Sequence, residues 1–353
     1  MEEAKIHRRR NVAFLVRAVL FLLIFSLLCA GALYVLMPKS DYGPGSMMNL
    51  YMQPKNSVDV LAIGTSMTYA GLNTNVLWAN WGIASYDLAS AEQQYWNTYY
   101  YLEEFLKTQQ PRLILLDAKA ATYQNDETKR GRVILSTYGI LSPLNRWRAI
   151  QAAAPEGDTL SYMLAFPQVH ENWKKVTAES FSLPGWTGGR STDWKGYIEK
   201  EETEQHSKPS LVWTRTRKNM NEREKEWFYK ICDLAKAHGV PMLLVAYPNP
   251  DYANDHMYYN TLWGLADEMN IPHINLNDPA GHFRFLYSSE FADWQHVNIL
   301  GSLKLSKILG RVLNGYYEIP DHRNDPAYAS YDRCLSEWME KYPQYAEQLY
   351  LEE

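Results

Sequence analysis

The globular part of the chain alternates two patterns of hydrophobic residues. Short, mostly apolar runs occur at 58–63 (VDVLAI), 113–116 (LILL), 242–246 (MLLVA) and 271–276, a length typical of buried strands. Between them, apolar residues recur every three or four positions, which predicts helices that include Tyr95, Trp227 and Tyr258, and a last helix at 300–313. This alternation indicates βαβ units around a sheet that is covered on both faces. It predicts a three-layer α/β sandwich with a central parallel sheet, whose ligands bind beyond the carboxyl ends of the strands.

A different pattern marks the N-terminal end. Residues 18–37 carry no charged side chain, and this run is close to the ~20 residues that a helix needs to cross a bilayer. Lys5 and four arginines, the last of them Arg17, precede the run, whereas only Lys39 follows it closely. The positive-inside rule then predicts a single-pass cell-membrane protein with a cytoplasmic N-terminus and an extracellular globular domain. A cleaved secretory signal is the alternative, although its apolar region is ordinarily about 7–15 residues long.

These patterns divide the chain into five predicted parts. They are a basic cytoplasmic head (1–17), a transmembrane anchor (18–37), a linker (38–57), an α/β domain (58–315) and a helical tail (316–353). Residues 123–217 interrupt the alternation of strands and helices with several helix-like pieces. We interpret them as a helical insertion that caps the strand ends.

The composition excludes some classes of function. Hydrophobic residues make up 46% of the chain and charged residues 21%, which argues against disorder. A net charge of −5 gives no reason to expect a nucleic-acid partner. The histidines do not have the spacing of a metal site, so neither a metal ion nor another cofactor is predicted.

Candidate chemistry begins where the first predicted strand ends. The sequence Gly64-Thr65-Ser66 presents a serine hydroxyl there, after a glycine that permits a tight turn. Such a serine is also typical of a turn that only caps the next helix. Taken alone, Ser66 therefore leaves both interpretations open.

A second motif lies before the last predicted helix. Asp293 and His296 are three residues apart in one loop. A histidine can take the proton of a serine hydroxyl, and a carboxylate can orient the imidazole ring and stabilise its charged form. Because this loop precedes the final helix of the same sheet, we predict that Ser66, His296 and Asp293 meet above the sheet as a catalytic triad.

At these residues the chain resembles the SGNH/GDSL hydrolases. Gly64-Thr65-Ser66 matches the first block of that family, where Gly-Asp-Ser is usual, and Asp293 to His296 matches its closing Asp-x-x-His block. The resemblance covers about residues 58–313 without the insertion, and it implies a flavodoxin-like form of the sandwich. The single N-terminal span, the YPNP turn at 247–250 and the string HVNILGSLKLSKILG are most similar to anchored proteins of bacterial cell-surface polymer acylation. Examples are the proteins of lipoteichoic acid D-alanylation and of alginate O-acetylation.

The resemblance also implies an oxyanion hole. In the family, its donors are the N–H of the nucleophile, the N–H of a glycine in a second block and the side chain of an asparagine in a third. Ser66 and Gly82 are the predicted backbone donors here. At the third block this chain has Asp117-Ala118-Lys119, and a carboxylate would repel an oxyanion. Lys119 or another loop group is a candidate replacement, and a hole with only two donors is the alternative. Asp117 can instead cap a helix or pair with Arg112 or Lys119.

Three further residues are weaker candidates for substrate binding. Trp186 and Arg190 belong to a Gly-rich loop of the insertion (LPGWTGGRST), where they are candidates to contact a polymer. Tyr247 directly follows the apolar run at 242–246. Ordinary packing is the alternative interpretation for each of them.

Two functions fit these features. The first is an extracytoplasmic acyltransferase or esterase, in which Ser66 is acylated and the acyl group, for which the resemblance implies acetyl, passes to a glycan hydroxyl or to water. The resemblance implies a membrane-bound O-acyltransferase as partner and a cell-surface polysaccharide or teichoic-type polymer as substrate. The second is a non-catalytic scaffold or glycan-binding subunit of such an acyltransferase complex. The missing asparagine favours the second function, whereas the retained Ser66, Asp293 and His296 favour the first.

Overall fold

The computed structural model describes residues 2–181, 194–207, 214–250, 252–277 and 282–351. Among these residues, five strands form one sheet: β1 (Val60–Gly64), β2 (Ser85–Ala89), β3 (Leu113–Asp117), β4 (Met242–Ala246) and β5 (His273–Asn275). All four pairings are parallel, in the order β2-β1-β3-β4-β5. This is the flavodoxin-like order, in which the strand sequence reverses direction between β1 and β3.

Helices make up most of the described chain outside the sheet. In chain order the α-helices are α1 (Glu2–Leu36), α2 (Pro44–Tyr51), α3 (Ser66–Gly71), α4 (Thr74–Trp81), α5 (Tyr95–Phe105), α6 (Arg130–Thr137), α7 (Pro143–Ala153), α8 (Thr159–Leu164), α9 (Phe166–Val169), α10 (Glu222–Ala237), α11 (Tyr252–Glu268), α12 (Ile299–Tyr316) and α13 (Ala329–Lys341). Short 3-10 helices include Ala118–Thr122, His170–Lys175, Ala178–Phe181, Trp194–Gly196, Pro326–Tyr328, Pro343–Tyr345 and Glu347–Leu349.

Helices cover both faces of the sheet. On one face, strand residues such as Leu61 and Leu116 share a hydrophobic core with residues of α5, α10 and α11. On the other face, Val60 and Leu115 share a core with residues of α4 and α12. Alternate residues of one strand therefore enter opposite cores, as the two-residue period of a strand requires. The predicted three-layer α/β sandwich with a central parallel sheet is confirmed.

The hydrophobic pattern did not predict β2. All five of its residues are buried, with Tyr86 and Leu88 in the core on the α5 side. Ser85 and Asp87 alternate with them and break the apolar run that marks the other strands. β2 is an edge strand, but the 3-10 helix Trp194–Gly196 covers it, so close that a side chain at Gly196 would collide with the Asp87 carbonyl.

α1 projects from the globular domain. Within it, residues Arg9–Leu36 are long and apolar enough to cross a membrane, and the side chains described before its last turn are almost all exposed. The last turn, from Leu33 to Leu36, is half-buried against the insertion. There the Asn172 side chain donates a hydrogen bond to the Leu36 carbonyl at 3.0 Å.

The predicted insertion (123–217) and tail (316–353) are largely helical in their described parts. α7 packs against α5, and the Asn145 side chain on α7 donates to Glu104 on α5 at 2.7 Å. In the tail, α13 packs against α4, where Trp338 is fully buried and Asp332 accepts a hydrogen bond from the Trp78 indole at 2.9 Å. These helices of both segments thus pack on helices of the sandwich, whereas the 3-10 helix Trp194–Gly196 of the insertion packs on strand β2.

Candidate active site

The turn that presents Ser66 is held in place by hydrogen bonds to the Asp117 carboxylate. β1 ends at Gly64, α3 begins at Ser66, and the Asp117 carboxylate accepts hydrogen bonds from the Thr65 N–H, at 3.0 Å, and from the Thr65 hydroxyl. The same carboxylate accepts the Lys119 N–H at 2.8 Å. A Cβ at Gly64 would lie 2.3 Å from the Asp117 Cβ, so only glycine allows this close approach. The turn is therefore built by residues at the carboxyl ends of two neighbouring strands, β1 and β3.

Ser66, His296 and Asp293 lie in a continuous hydrogen-bonded line. Ser66 Oγ is 2.7 Å from His296 Nε2, and His296 Nδ1 is 2.9 and 2.8 Å from the two Asp293 oxygens. Asp293 also shapes its own loop, because its Oδ1 accepts the backbone N–H groups of Gln295, at 2.8 Å, and of His296, at 2.9 Å. Asn298 then caps α12 by accepting the Gly301 N–H at 3.1 Å. The loop and the helix start thus fix the imidazole over the serine.

The electrostatics of the line suit a serine nucleophile. Burial opposes ionisation of Asp293, but the hydrogen bonds and charge of His296 and the bond from the Gln295 N–H outweigh it and hold the pKa of Asp293 well below its ordinary value. An ionised Asp293 accepts the Nδ1 proton, which leaves Nε2 as the acceptor for the Ser66 hydroxyl. This nucleophile–base distance is within the reach that general-base catalysis requires.

The site lies at the reversal point of the sheet. Ser66 follows β1 and Asp117 ends β3, and these are the two strands between which the strand order reverses. In doubly wound sheets, the crevice beyond the carboxyl ends at this point is the ordinary place for a ligand. Ser66 is 8% exposed, so the surrounding residues shield its hydroxyl from most of the solvent.

Gly82 does not lie where the oxyanion prediction requires. It ends α4 in a left-handed conformation and precedes β2, so it lies at the amino-terminal edge of the sheet, opposite to Ser66. Its N–H donates to the Trp78 carbonyl at 2.8 Å, and its Cα packs against Asp321 of the tail. The prediction of Gly82 as an oxyanion donor is therefore wrong for this structure, because its N–H already serves the end of a helix.

Asp117 and Lys119 are also committed to other partners. The Asp117 carboxylate is 1% exposed and is occupied by Thr65 and by the Lys119 N–H. The Lys119 amino group forms an ion pair with Asp255 at 2.5 Å, with both side chains less than one tenth exposed. Neither predicted substrate contact is supported, since both groups face the interior. The alternative of a capping role for Asp117 agrees with its hydrogen bonds.

The remaining predicted substrate residues divide into two groups. Tyr247 is 2% exposed, and its ring fills the space that a side chain at Gly71 would need, so it packs in the core and does not face a polymer. Trp186 and Arg190 lie outside the described residues. Within the described ranges, no three His, Cys, Asp or Glu side chains come together as a candidate metal site.

The sequence prediction did not single out Tyr69, which lies beside Ser66. Ser66 and Tyr69 are three residues apart on α3 and therefore share one face of the helix. The Tyr69 hydroxyl lies near the Ser66 side chain, and the charges of Asp293 and of Arg132 on α6 act on the same hydroxyl. Burial raises the pKa of Tyr69, so the hydroxyl stays protonated and can donate. The Tyr69 ring stacks on that of Tyr42, with centroids 5.1 Å apart.

Trp294 is a second residue that the pattern did not single out. It lies between Asp293 and His296 in the sequence and is 63% exposed. Its ring lies against the buried ring of His206, with centroids 4.7 Å apart. An exposed indole that packs on a buried ring offers a flat surface next to Asp293 and His296. Its position inside the Asp-x-x-His motif is the sequence signal that could have identified it.

Comparisons with known proteins add little to this geometry. No family model matches the chain, and no curated protein matches it. Among solved structures, a Bacteroides fragilis chain described as a "putative acylhydrolase" is similar over 76% of this chain and 94% of its own length, with 11% sequence identity and a TM-score of 0.39. A likeness this weak has no bearing on activity, and the α/β fold follows from the strand order and the two helical layers of the chain itself.

Proposed function

We propose that this chain is a serine-dependent acyltransferase or esterase of the SGNH/GDSL type, with Ser66 as nucleophile, His296 as base and Asp293 as the residue that orients the base. The observation that carries the proposal is the 2.7 Å contact between Ser66 Oγ and His296 Nε2, backed by Asp293 on the other ring nitrogen. A turn serine that merely caps a helix does not need a histidine there. The N-cap of α3 is Thr65, not Ser66.

The reaction follows from these positions. His296 Nε2 takes the Ser66 proton as Oγ attacks the carbonyl carbon of an acyl donor, and the positive imidazole is stabilised by Asp293. The tetrahedral intermediate collapses, His296 returns the proton to the leaving group, and an acyl-serine remains. A glycan hydroxyl or water then gives its proton to His296 and attacks the acyl-serine, and the proton finally returns to Ser66 Oγ. The acceptor decides between transfer and hydrolysis.

Tyr69 is the proposed replacement for the family's oxyanion asparagine. The Ser66 N–H at the start of α3 is one donor, and the protonated Tyr69 hydroxyl supplies a second one from the same helix face. Donors aimed at the developing oxyanion are among the largest contributions to such catalysis. This assignment removes the main objection to an active enzyme, namely the aspartate at the asparagine position.

The proposed setting is the outer surface of a cell membrane, with α1 as anchor. Tyr42, whose ring stacks on Tyr69, follows the end of α1 by six residues. A fully extended chain of that length reaches about 20 Å, so the proposed nucleophile lies close to the end of the anchor. This arrangement suits an acyl group that a membrane-bound O-acyltransferase delivers through the bilayer, and a cell-surface glycan as acceptor. The exposed Trp294 ring is a suitable platform for a sugar.

A covalent-labelling experiment tests the proposal. The full chain in detergent or lipid is treated with a serine-directed fluorophosphonate, and the labelled peptide is identified by mass spectrometry. We expect one adduct on Ser66, no adduct in Ser66→Ala, and strongly reduced labelling in His296→Ala. Absence of labelling at Ser66 in a folded wild-type chain would leave the non-catalytic scaffold as the better account.

Cleavage of a small acetyl ester and acylation of surface glycan in cells separate the two functions further. Ser66→Ala should lose both activities, because each passes through the acyl-serine. If Ser66→Ala cells retain normal glycan acylation, the protein acts in the complex without its own chemistry.

A further inference from the structure

The insertion exposes an unusual amount of apolar surface. Among the described residues after α1, thirteen large hydrophobic side chains are exposed, and eight of them belong to residues 141–181. On α8, Leu160 and Leu164 are four residues apart and share one helix face, at 70% and 57% exposure. Phe166 and Trp173 follow at 50% and 66%. We call Leu160, Leu164, Phe166 and Trp173 the insertion face; apolar clusters of this kind on a soluble surface mark interaction sites.

The end of α1 fixes the position of this face along the anchor. α9 and the 3-10 helices His170–Lys175 and Ala178–Phe181 all pack against α1. Phe166 and Trp173 belong to two of these elements, and Asn172, next to Trp173, donates to the Leu36 carbonyl at 3.0 Å. α8, which carries the leucines, packs against α9. The insertion face therefore lies at the level of the last turn of α1.

Helix geometry relates this level to the bilayer. Because the insertion packs on the last turn of α1 (Leu33–Leu36), we place residues 12–32, rather than the predicted 18–37, in the hydrocarbon core. Residues 12–32 extend about 32 Å at ~1.5 Å per residue, which matches a hydrocarbon core of about 30 Å. In this placement Arg17 reaches toward the inner headgroups with its long side chain. The next turn, where the insertion packs, then falls in the outer interfacial layer. An apolar surface that the anchor holds at this level is in contact with lipid rather than with water.

The chemistry of the insertion face agrees with that layer. Trp173 is followed by Lys174 and Lys175, which are both exposed. Tryptophan and lysine side chains are typical of the membrane–water interface, where the ring lies among the headgroups and the ammonium contacts lipid phosphates. Leucines and a phenylalanine on short helices supply the apolar surface that an interfacial segment buries.

We propose that the insertion face is a second membrane contact, in which Leu160, Leu164, Phe166 and Trp173 enter the outer interface of the bilayer that α1 spans. This inference rests on the anchor of the proposed function. The occupant is lipid, with anionic headgroups next to Lys174 and Lys175. Contact at both α1 and the insertion holds the globular domain in one orientation, so the triad keeps a constant height above the membrane.

Site-directed spin labelling of the full chain tests the contact. In a Cys29→Ser background, where the remaining Cys232 and Cys334 are buried, Leu164→Cys and Trp173→Cys each receive a nitroxide. The variants are reconstituted in vesicles of phosphatidylcholine and phosphatidylglycerol, and collisions with oxygen and with a water-soluble nickel chelate are measured. Tyr316→Cys is the matched control. Tyr316 is 84% exposed and lies at the end of α12 that is far from the loop of Asp293 and His296. Wild-type Cys29 labelled in the same vesicles reports on the anchor.

We expect the labels at 164 and 173 to collide more with oxygen than with nickel, as an interfacial label does, and the label at 316 to show the opposite. Water-exposed labels at 164 and 173 together with a lipid-embedded label at Cys29 would overturn the second contact and leave the anchor intact. A water-exposed label at Cys29 would overturn the anchor itself. Protection at 164 in native membranes that is lost in the pure lipid vesicles would mean that a protein covers the face, which also contradicts the proposal.

Discussion

At the scale of single residues, Asp293 combines two tasks that are separable by mutation. Its oxygens accept the His296 ring proton and also two backbone N–H groups of the same loop. Removal of the whole side chain in Asp293→Ala would therefore disturb the loop as well as the imidazole. Asparagine keeps one oxygen for the backbone donors but presents an amide to the ring, so it is the sharper probe of the chemistry.

Asp293→Asn should lower kcat for a small acetyl ester by about 10⁴-fold, a magnitude known from the serine-protease triad, because the ring then adopts the wrong tautomer. Thermal unfolding should change little.

Ser66→Ala and His296→Ala should each lower kcat for the acetyl ester by a similar, large factor, and their double variant should be little worse than either. Additive losses in the double variant would mean that the two residues do not act together.

Tyr69 offers a second test at this scale. Tyr69→Phe keeps the ring stack on Tyr42 but removes the hydroxyl, so we expect kcat to fall by about 10²-fold with little change in KM. Tyr42→Phe is the matched control, since it removes a hydroxyl from the other ring of the stack. Steady-state kinetics on the acetyl ester decide between the roles. An unchanged kcat in Tyr69→Phe would make Tyr69 a packing residue only.

At the scale of elements, the turn between β1 and α3 is held by a side chain from β3. The Asp117 carboxylate satisfies the Thr65 N–H, the Thr65 hydroxyl and the Lys119 N–H together. Burial raises the pKa of Asp117 against these hydrogen bonds, which lower it. The position of Ser66 therefore depends on a contact between two strands rather than on the turn sequence alone.

Asp117→Asn should destabilise the protein by about 1–3 kcal/mol, because the amide cannot accept from all three donors. The turnover of the acetyl ester should fall as the turn loosens. Thr65→Val removes the hydroxyl from the other side of the same contact, and the two losses should be less than additive in the double variant. A rise in turnover for Asp117→Asn would instead mean that the carboxylate repels the oxyanion, as the family pattern had suggested.

The elements also explain what the sequence could predict. The contact between Ser66, His296 and Asp293 could be predicted because each residue follows a local signal: a glycine after an apolar run, and a fixed spacing before an amphipathic helix. Gly82 was assigned wrongly because the polar residues of β2 concealed that strand, so its position at the amino-terminal edge was not apparent. The direction of the Asp117 side chain could not be predicted, because it depends on hydrogen bonds with Thr65. These bonds join segments that are distant in the sequence, so no local pattern indicates them.

At the scale of the whole molecule, one carboxyl group is deeply buried in the sheet. Within the described chain, neither oxygen of Asp87 on β2 has a hydrogen-bond partner, and burial raises the pKa of Asp87 well above its ordinary value. The folded protein thus holds a proton on Asp87 that the unfolded chain releases at a lower pH. Stability is lost as pH rises from the ordinary carboxyl pKa toward the raised one, by about 1.4 kcal/mol per pH unit in that window.

Asp87→Asn should remove this loss. Relative to the wild type, the variant should gain stability as pH rises above the ordinary carboxyl pKa, until the raised pKa of Asp87 is reached. Thermal or urea unfolding from pH 4 to pH 8 measures this gain. Ser85→Ala is the matched control, because Ser85 lies on the same face of β2, its hydroxyl also lacks a partner among the described residues, and it does not titrate. Parallel pH profiles for Asp87→Asn and the wild type would contradict the buried, protonated state.

The short connection between α1 and Tyr42 has a kinetic consequence. Under the proposed function, an enzyme held this close to a membrane anchor does not search the bulk solution. It meets only those acceptors that diffuse in the same surface layer. Its rate then depends on the number of enzyme and substrate molecules per unit area of membrane. Dilution of both with inert lipid should slow the reaction even when the bulk concentrations stay constant, and polymer chains should be modified first at the segments nearest the bilayer.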